Sequence, residues 1–93
     1  MAKSILQQGE PRCFFCGRMD GLERHHCLGG VANRPLSEKF GLWVWLCYEH
    51  HTGTDGAQYA KEKNMELKQL AQIAFEARHS RAEWMEVFRK NYL

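Results

Sequence analysis

Leu42-Trp43-Val44-Trp45-Leu46-Cys47-Tyr48-Glu49-His50-His51 reads as a strand that runs straight into a metal-ligand pair. Its first five residues are all apolar, with two tryptophans and a β-branched valine, which suits a pleated strand. A continuous apolar run of this kind fits burial on both faces. From Tyr48 the pattern opens a helix, so Cys47-x-x-His50 sits across a strand-to-helix junction. Thirty residues earlier, Cys13-x-x-Cys16 forms a second pair, placed after Gly9-Glu10-Pro11 and before Gly17 in knuckle-like turn chemistry. Zinc prefers thiolate and imidazole at about 2.0–2.3 Å in a tetrahedron, and a two-residue spacer lets both side chains of a pair reach one ion. Cys13, Cys16, Cys47 and His50 are therefore the expected ligands of one structural zinc. A helix start can present either neighbour, so His51 competes with His50 for the fourth position. Cys27 is a spare thiol, expected as a small buried hydrophobe.

The bounds agree with a stapled domain. Ninety-three residues make one domain at most, and so short a chain buries a modest core. Apolar residues make up 44% of it, which is enough for that core with a metal to help. A net charge of +2, with no basic tail or Lys-rich stripe, permits nucleic-acid binding without announcing it. Weak, salt-sensitive DNA binding is expected from the chain alone. No apolar run of membrane length and no signal-peptide pattern are seen, so the expectation is a cytoplasmic protein with no membrane partner. In a reducing setting Cys-x-x-Cys reads as metal or redox chemistry, and the redox motif would want a βαβ context.

Outward from the frame, Leu22–Cys27 reads as a second strand carrying His25-His26. Ser4-Ile5-Leu6 suggests a short strand in the lead-in. Residues 28–41, with Gly29-Gly30, Arg34-Pro35 and Gly41, read as a loop with a helical turn at Ser37–Phe40. Thr52-Gly53-Thr54-Asp55-Gly56 interrupts the helix that opens at Tyr48. From Asn64, the spacing of Leu67, Leu70, Ala71, Ala74 and Ala77 predicts an amphipathic helix, its face broadened by Ile73 and Phe75. Ser80-Arg81-Ala82-Glu83 is a capping box that starts a last helix, with Trp84, Val87 and Phe88 toward the core. Trp43 and Trp45 are expected in the core rather than as a stacking platform. Arg24, Arg34 and Lys39 flank the frame, equally suited to phosphate contacts and to solvated surface.

The order of these signals resembles a known family. Cys13-x-x-Cys16, then His25-His26 ending a strand, then a strand into Leu46-Cys47-x-x-His50-His51, looks like an HNH endonuclease of the His-Me finger or ββα-metal group. The match runs roughly from Cys13 to His51, under half the chain. Zinc-bearing members staple the ββα unit with two Cys pairs, and His50 stands here where the last Cys commonly stands. The whole sequence is also similar to small HNH proteins encoded by bacteriophages, in which a helical tail follows the motif.

The resemblance implies a role for each histidine. His25 and His51 would ligate a catalytic Mg²⁺ or Mn²⁺, and His26 would act as general base on the attacking water. An imidazole titrates near neutrality and suits that task. A hard divalent cation suits the scissile phosphate. DNA would be the substrate, cut or nicked, inside a bacterial host. One departure stands out. The motif's middle Asn belongs at the start of the second strand, where this chain has Phe40-Gly41-Leu42; Asn33 lies in the loop before it. Asp55, four residues past His51, would share its helix face if the helix persisted. The missing Asn supports a competing reading, a non-catalytic zinc module that binds DNA or a protein partner of phage packaging or recombination. The expected fold is α+β over residues 1–93: a lead-in (1–12), a zinc-stapled ββα-metal finger (13–56) and a C-terminal helical extension (57–93).

Overall fold

A computed structural model describes residues 3–53, 56, 57 and 60–93. The element order is β1 (Leu22–His26), α1 (Asn33–Phe40), β2 (Trp43–Cys47), α2 (Tyr48–His51), α3 (Lys61–Glu76) and α4 (Arg81–Phe88). This is an α+β fold with a two-stranded antiparallel sheet. The register places Leu22 opposite Cys47 and His26 opposite Trp43. Side chains alternate across a strand, so Arg24, His26, Trp43 and Trp45 share one face. Glu23, His25, Val44 and Leu46 share the other.

The second face builds the core. Val44 and Leu46 are fully buried and join Leu28, Leu42, Leu67, Ala71, Phe75, Trp84 and Phe88 in one apolar cluster. That cluster unites the strands with α3 and α4. Trp84 packs on Phe75 and Phe88, and its indole N–H donates to the Lys90 carbonyl at 2.8 Å. A buried indole requires such an acceptor. The capping box forms as expected: the Ser80 hydroxyl accepts from the Glu83 amide at 3.1 Å. Buried Gln72 pins the C-terminal tail, donating to Asn91 Oδ1 and accepting from the Tyr92 amide, both at 2.8 Å.

Several local expectations are corrected. Ser4-Ile5-Leu6 is not a strand. Its segment follows the free edge of β2 through one main-chain bond, Ile5 N–H to the Gly41 carbonyl, while the side chains of Ser4 and Gln7 meet the Trp43 carbonyl and the Trp45 amide. The segment expected as a loop with one helical turn contains the eight-residue α1. Pro35 lies in its first turn, where no intrahelical amide bond is needed. Gly41 ends α1 with φ of 72°, and the Leu42 amide reaches back to the Ser37 carbonyl, a Schellman closure. The buried Ser37 hydroxyl ties α1 to the exit of β1 by bonding both the amide and the carbonyl of Leu28. α3 starts at Lys61, three residues before the expected Asn64. Its buried face is Leu67, Ala71, Gln72 and Phe75, whereas Ile73 and Ala77 are exposed. α2 stops at His51, as the glycines after it imply. A Cβ on Gly56 would lie 2.5 Å from the His51 carbonyl oxygen, so the chain folds tightly onto the end of α2. No helix among the described residues is long and apolar enough to cross a membrane.

Candidate metal and catalytic centre

Two side-chain groups meet at the junction of β2 and α2. The first is Cys13, Cys16, Cys47 and His50, whose ligand atoms all lie within 4.8 Å of one another. Cys16 Sγ to Cys47 Sγ is 3.8 Å, Cys13 Sγ to His50 Nδ1 is 3.6 Å, and Cys47 Sγ to His50 Nδ1 is 3.3 Å. Metal–sulfur and metal–nitrogen bonds of about 2.3 and 2.05 Å at a tetrahedral angle predict edges of ~3.8 Å for S···S and ~3.6 Å for S···N. The four residues could therefore hold one metal ion. Burial pushes the Cys13 thiol up, but amide donors from Cys47, Cys16 and Phe15 outweigh it and bring the thiol down to about 6. At Cys16 the Arg18 amide lowers the thiol, while desolvation and the neighbouring thiols Cys13 and Cys47 raise it to a net increase. Cys27 stands apart, buried, its thiol pushed up to about 12 by desolvation. It is the inert hydrophobe expected of it.

The second group is histidines. His25, His26 and His51 line a cavity of about 370 Å³ with Arg24, Arg34, Asn64 and Lys68. Adjacent His50 and His51 on α2 thus point to different tasks: His50 completes the cysteine cluster, and the His51 ring lies 5.2 Å from that of His25. The side chain of His25 descends from the inner face of β1. It is 8% exposed, and its Nε2 is buried with no hydrogen-bond partner among the described residues. Burial, and then the nearby His51 and His26, lower its pKa to about 4, so the ring stays neutral at neutral pH.

Carboxylates orient the other two rings. Glu23 Oε1 lies 2.9 Å from His51 Nδ1, and Glu38 Oε2 lies 2.8 Å from His26 Nε2. An ionised carboxylate only accepts, so in the neutral rings these nitrogens carry the protons. The lone pairs then sit on Nε2 of His51 and Nδ1 of His26. Glu38 also pairs with the Arg24 guanidinium.

No family model, curated protein or solved structure matches this chain.

The arrangement can do two kinds of chemistry. Cys13, Cys16, Cys47 and His50 form a Cys3His ligand set, while His25 and His51 bring two imidazoles together in one cavity. Asn33, the residue considered for the motif's missing Asn, heads α1 and does not line the cavity. The asparagine that does is Asn64, joined by Lys68 one turn later on α3. Neither was singled out from the sequence, nor were Glu23 and Glu38. Glu23 and Glu38 carry no local signal, since their partners are distant in the chain. Asn64 and Lys68 carried the one available hint, the polar i, i+4 edge of the α3 pattern. Asp55 lies outside the described residues.

Proposed function

We propose that this chain is a metal-dependent HNH-type endonuclease that hydrolyses phosphodiester bonds in DNA by cutting or nicking. The observation that carries the reading is the His25 Nε2 atom, buried without a partner among the described residues beside the His51 ring, in a cavity that also holds His26. Leaving a buried polar atom unsatisfied costs about 1–3 kcal/mol. A ligand that arrives later gives that cost a purpose. The cysteine cluster is read as structural zinc, because three thiols and one imidazole lie within 4.8 Å of one another and make the full four-ligand set of a structural site.

His25 and His51 would hold a Mg²⁺ or Mn²⁺ ion through their Nε2 atoms, with Glu23 fixing the His51 tautomer. When bound, the ion supplies charge stabilisation to the scissile phosphate. His26 Nδ1 takes the proton from the attacking water, whose oxygen forms the new bond to phosphorus as the ester oxygen leaves. Glu38 holds the opposite edge of that ring and stabilises the imidazolium. Arg34 and Lys68 place positive charge at the cavity for the phosphate backbone.

A second reading is favoured by a different observation: His26 and His51 already have carboxylate partners, and Asn33 is outside the cavity. Under it the chain is a non-catalytic zinc module for DNA or for a phage packaging or recombination protein. Plasmid nicking across a Mn²⁺ titration separates the two. The nuclease reading expects divalent-dependent nicking that His26→Ala abolishes at every Mn²⁺ concentration, with zinc content and fold intact. His25→Ala and His51→Ala should be partly rescued by high Mn²⁺, since they lack ligands and not the proton acceptor. Folded, zinc-loaded protein that cuts in no divalent ion sinks the enzyme and leaves the module.

A further inference from the structure

The outer face of the sheet carries a second, larger cavity of about 880 Å³. The lead-in segment, β2, the end of α1 and the end of α3 enclose it. Lys3, Arg24, Lys39 and Arg78 line it, and no Asp or Glu does. A chain with a net charge of only +2 has therefore gathered four cations around one hollow. Lys3, Lys39 and Arg78 are exposed and make no ion pair among the described residues.

The floor is aromatic. Trp43 and Trp45 stand on this face, outside the apolar cluster that forms the core, with ring centroids 5.3 Å apart in a T-shaped pair. The expectation that both tryptophans are core residues holds for Trp43, which is buried, and is corrected for Trp45, which is only half-buried. Trp43 is buried, but beneath the Arg24 guanidinium, which lies 3.8 Å from its ring centroid. Trp45 is half-buried and lines the cavity. Arg24 also lines the histidine cavity, so the two hollows adjoin through one residue.

Lys3, Lys39 and Arg78, with no ion-pair partner among the described residues, select an anion, and the half-buried Trp45 indole offers a face to a flat ring. A volume within the ~300–1,000 Å³ of ligand sites holds something of nucleotide size. We propose that this cavity binds unpaired nucleotides of a single-stranded nucleic acid, with a base against Trp45 and phosphates among Lys3, Lys39 and Arg78. Stacking on an indole needs a base whose face is free, which a duplex interior does not offer. An acidic peptide would meet the cations but leave the indoles unused. The binding stands on this cavity's own lining and holds whether or not the histidine site cuts.

The test uses the full zinc-loaded chain with no added divalent ion, so that binding is read apart from cleavage. A fluorescein-labelled 12-nucleotide oligothymidylate, the same-length duplex and a poly-glutamate peptide are titrated in turn. The expected result is tryptophan quenching by the single strand and at least about tenfold tighter binding than to duplex. Lys39→Glu with Arg78→Glu, both exposed positions, should weaken single-strand binding by at least about tenfold. The salt slope should flatten by ~1.4, at ~0.7 for each phosphate no longer neutralised. Trp45→Ala should remove most of the quenching, while Trp45→Phe keeps the affinity within about threefold, because a smaller ring still stacks. Duplex binding equal to single-strand binding, a double charge variant that binds like the parent, or equal quenching by the peptide each overturns the proposal. Nicking activity that persists after any of these results leaves the nuclease reading intact.

Discussion

His25→Leu should make this protein more stable, and increasingly so as pH falls. The imidazole is 8% exposed on the core face of β1, opposite Val44, and its Nε2 has no partner among the described residues. Leucine is of similar bulk and has no polar atom to satisfy. Removing an unsatisfied buried nitrogen recovers part of its ~1–3 kcal/mol cost, so a gain of about 1 kcal/mol is expected at pH 7.5. The pH dependence follows from the pKa, lowered to about 4 by burial against an ordinary value of 6.5. Between those values the unfolded chain holds the proton and the folded chain does not. Stability contributed by neutral His25 is thus full above pH 6.5 and declines as pH falls toward 4. From pH 7.5 to 5.5 the native protein should lose about 1 kcal/mol on this account alone, and the leucine variant should not. The cysteine cluster is common to both proteins, so its own acid sensitivity cancels in the difference. Urea unfolding followed by far-UV circular dichroism, at pH 7.5, 6.5 and 5.5 without divalent ions, measures the gap. A variant less stable than its parent by more than about 1 kcal/mol at pH 7.5, or a gap that does not widen toward pH 5.5, refutes the account of His25. The same variant should lose any Mn²⁺-dependent nicking, the expected trade between stability and function.

Four further outcomes rest on the packing. Cys47→Ser should abolish stoichiometric zinc in elemental analysis and collapse the circular dichroism signal of the native fold, because metal binding and folding are coupled in so small a site. Trp84→Ala should cost about 3–5 kcal/mol in urea unfolding, since its side chain is fully buried against Phe75 and Phe88. Ile73→Ala, on the exposed side of α3, should change stability by less than about 0.5 kcal/mol in the same assay. Gly41→Ala forces a side chain into left-handed backbone at φ of 72° and toward the Lys3 carbonyl. A loss of about 2 kcal/mol or more, read as a lower melting temperature, is expected.

The amino-acid order alone determined the α+β class, both strands to within a residue, the short helix at Tyr48, the capped last helix at Ser80 and the metal frame up to the choice between His50 and His51. Each of these is a local pattern: a two-residue ligand spacer, an apolar run, a capping box. Local chemistry settles them before the chain folds. Only the tertiary structure decided how adjacent His50 and His51 divide, because α2 turns one toward Cys13 and the other toward His25. Likewise, the eight-residue α1 depends on Ser37 finding Leu28 and on Gly41 closing the helix against the lead-in. Glu23 and Glu38 meet histidines on other elements, His51 and His26, so no local pattern names them, and Asn64 and Lys68 show only as a polar i, i+4 edge of α3. The tryptophans show the limit most plainly. A strand's period says that Trp43 and Trp45 share a face, but which face meets the core depends on where α3 and α4 pack. Those helices cover Val44 and Leu46, which leaves Trp43 buried beneath Arg24 and Trp45 half-buried at a cationic hollow.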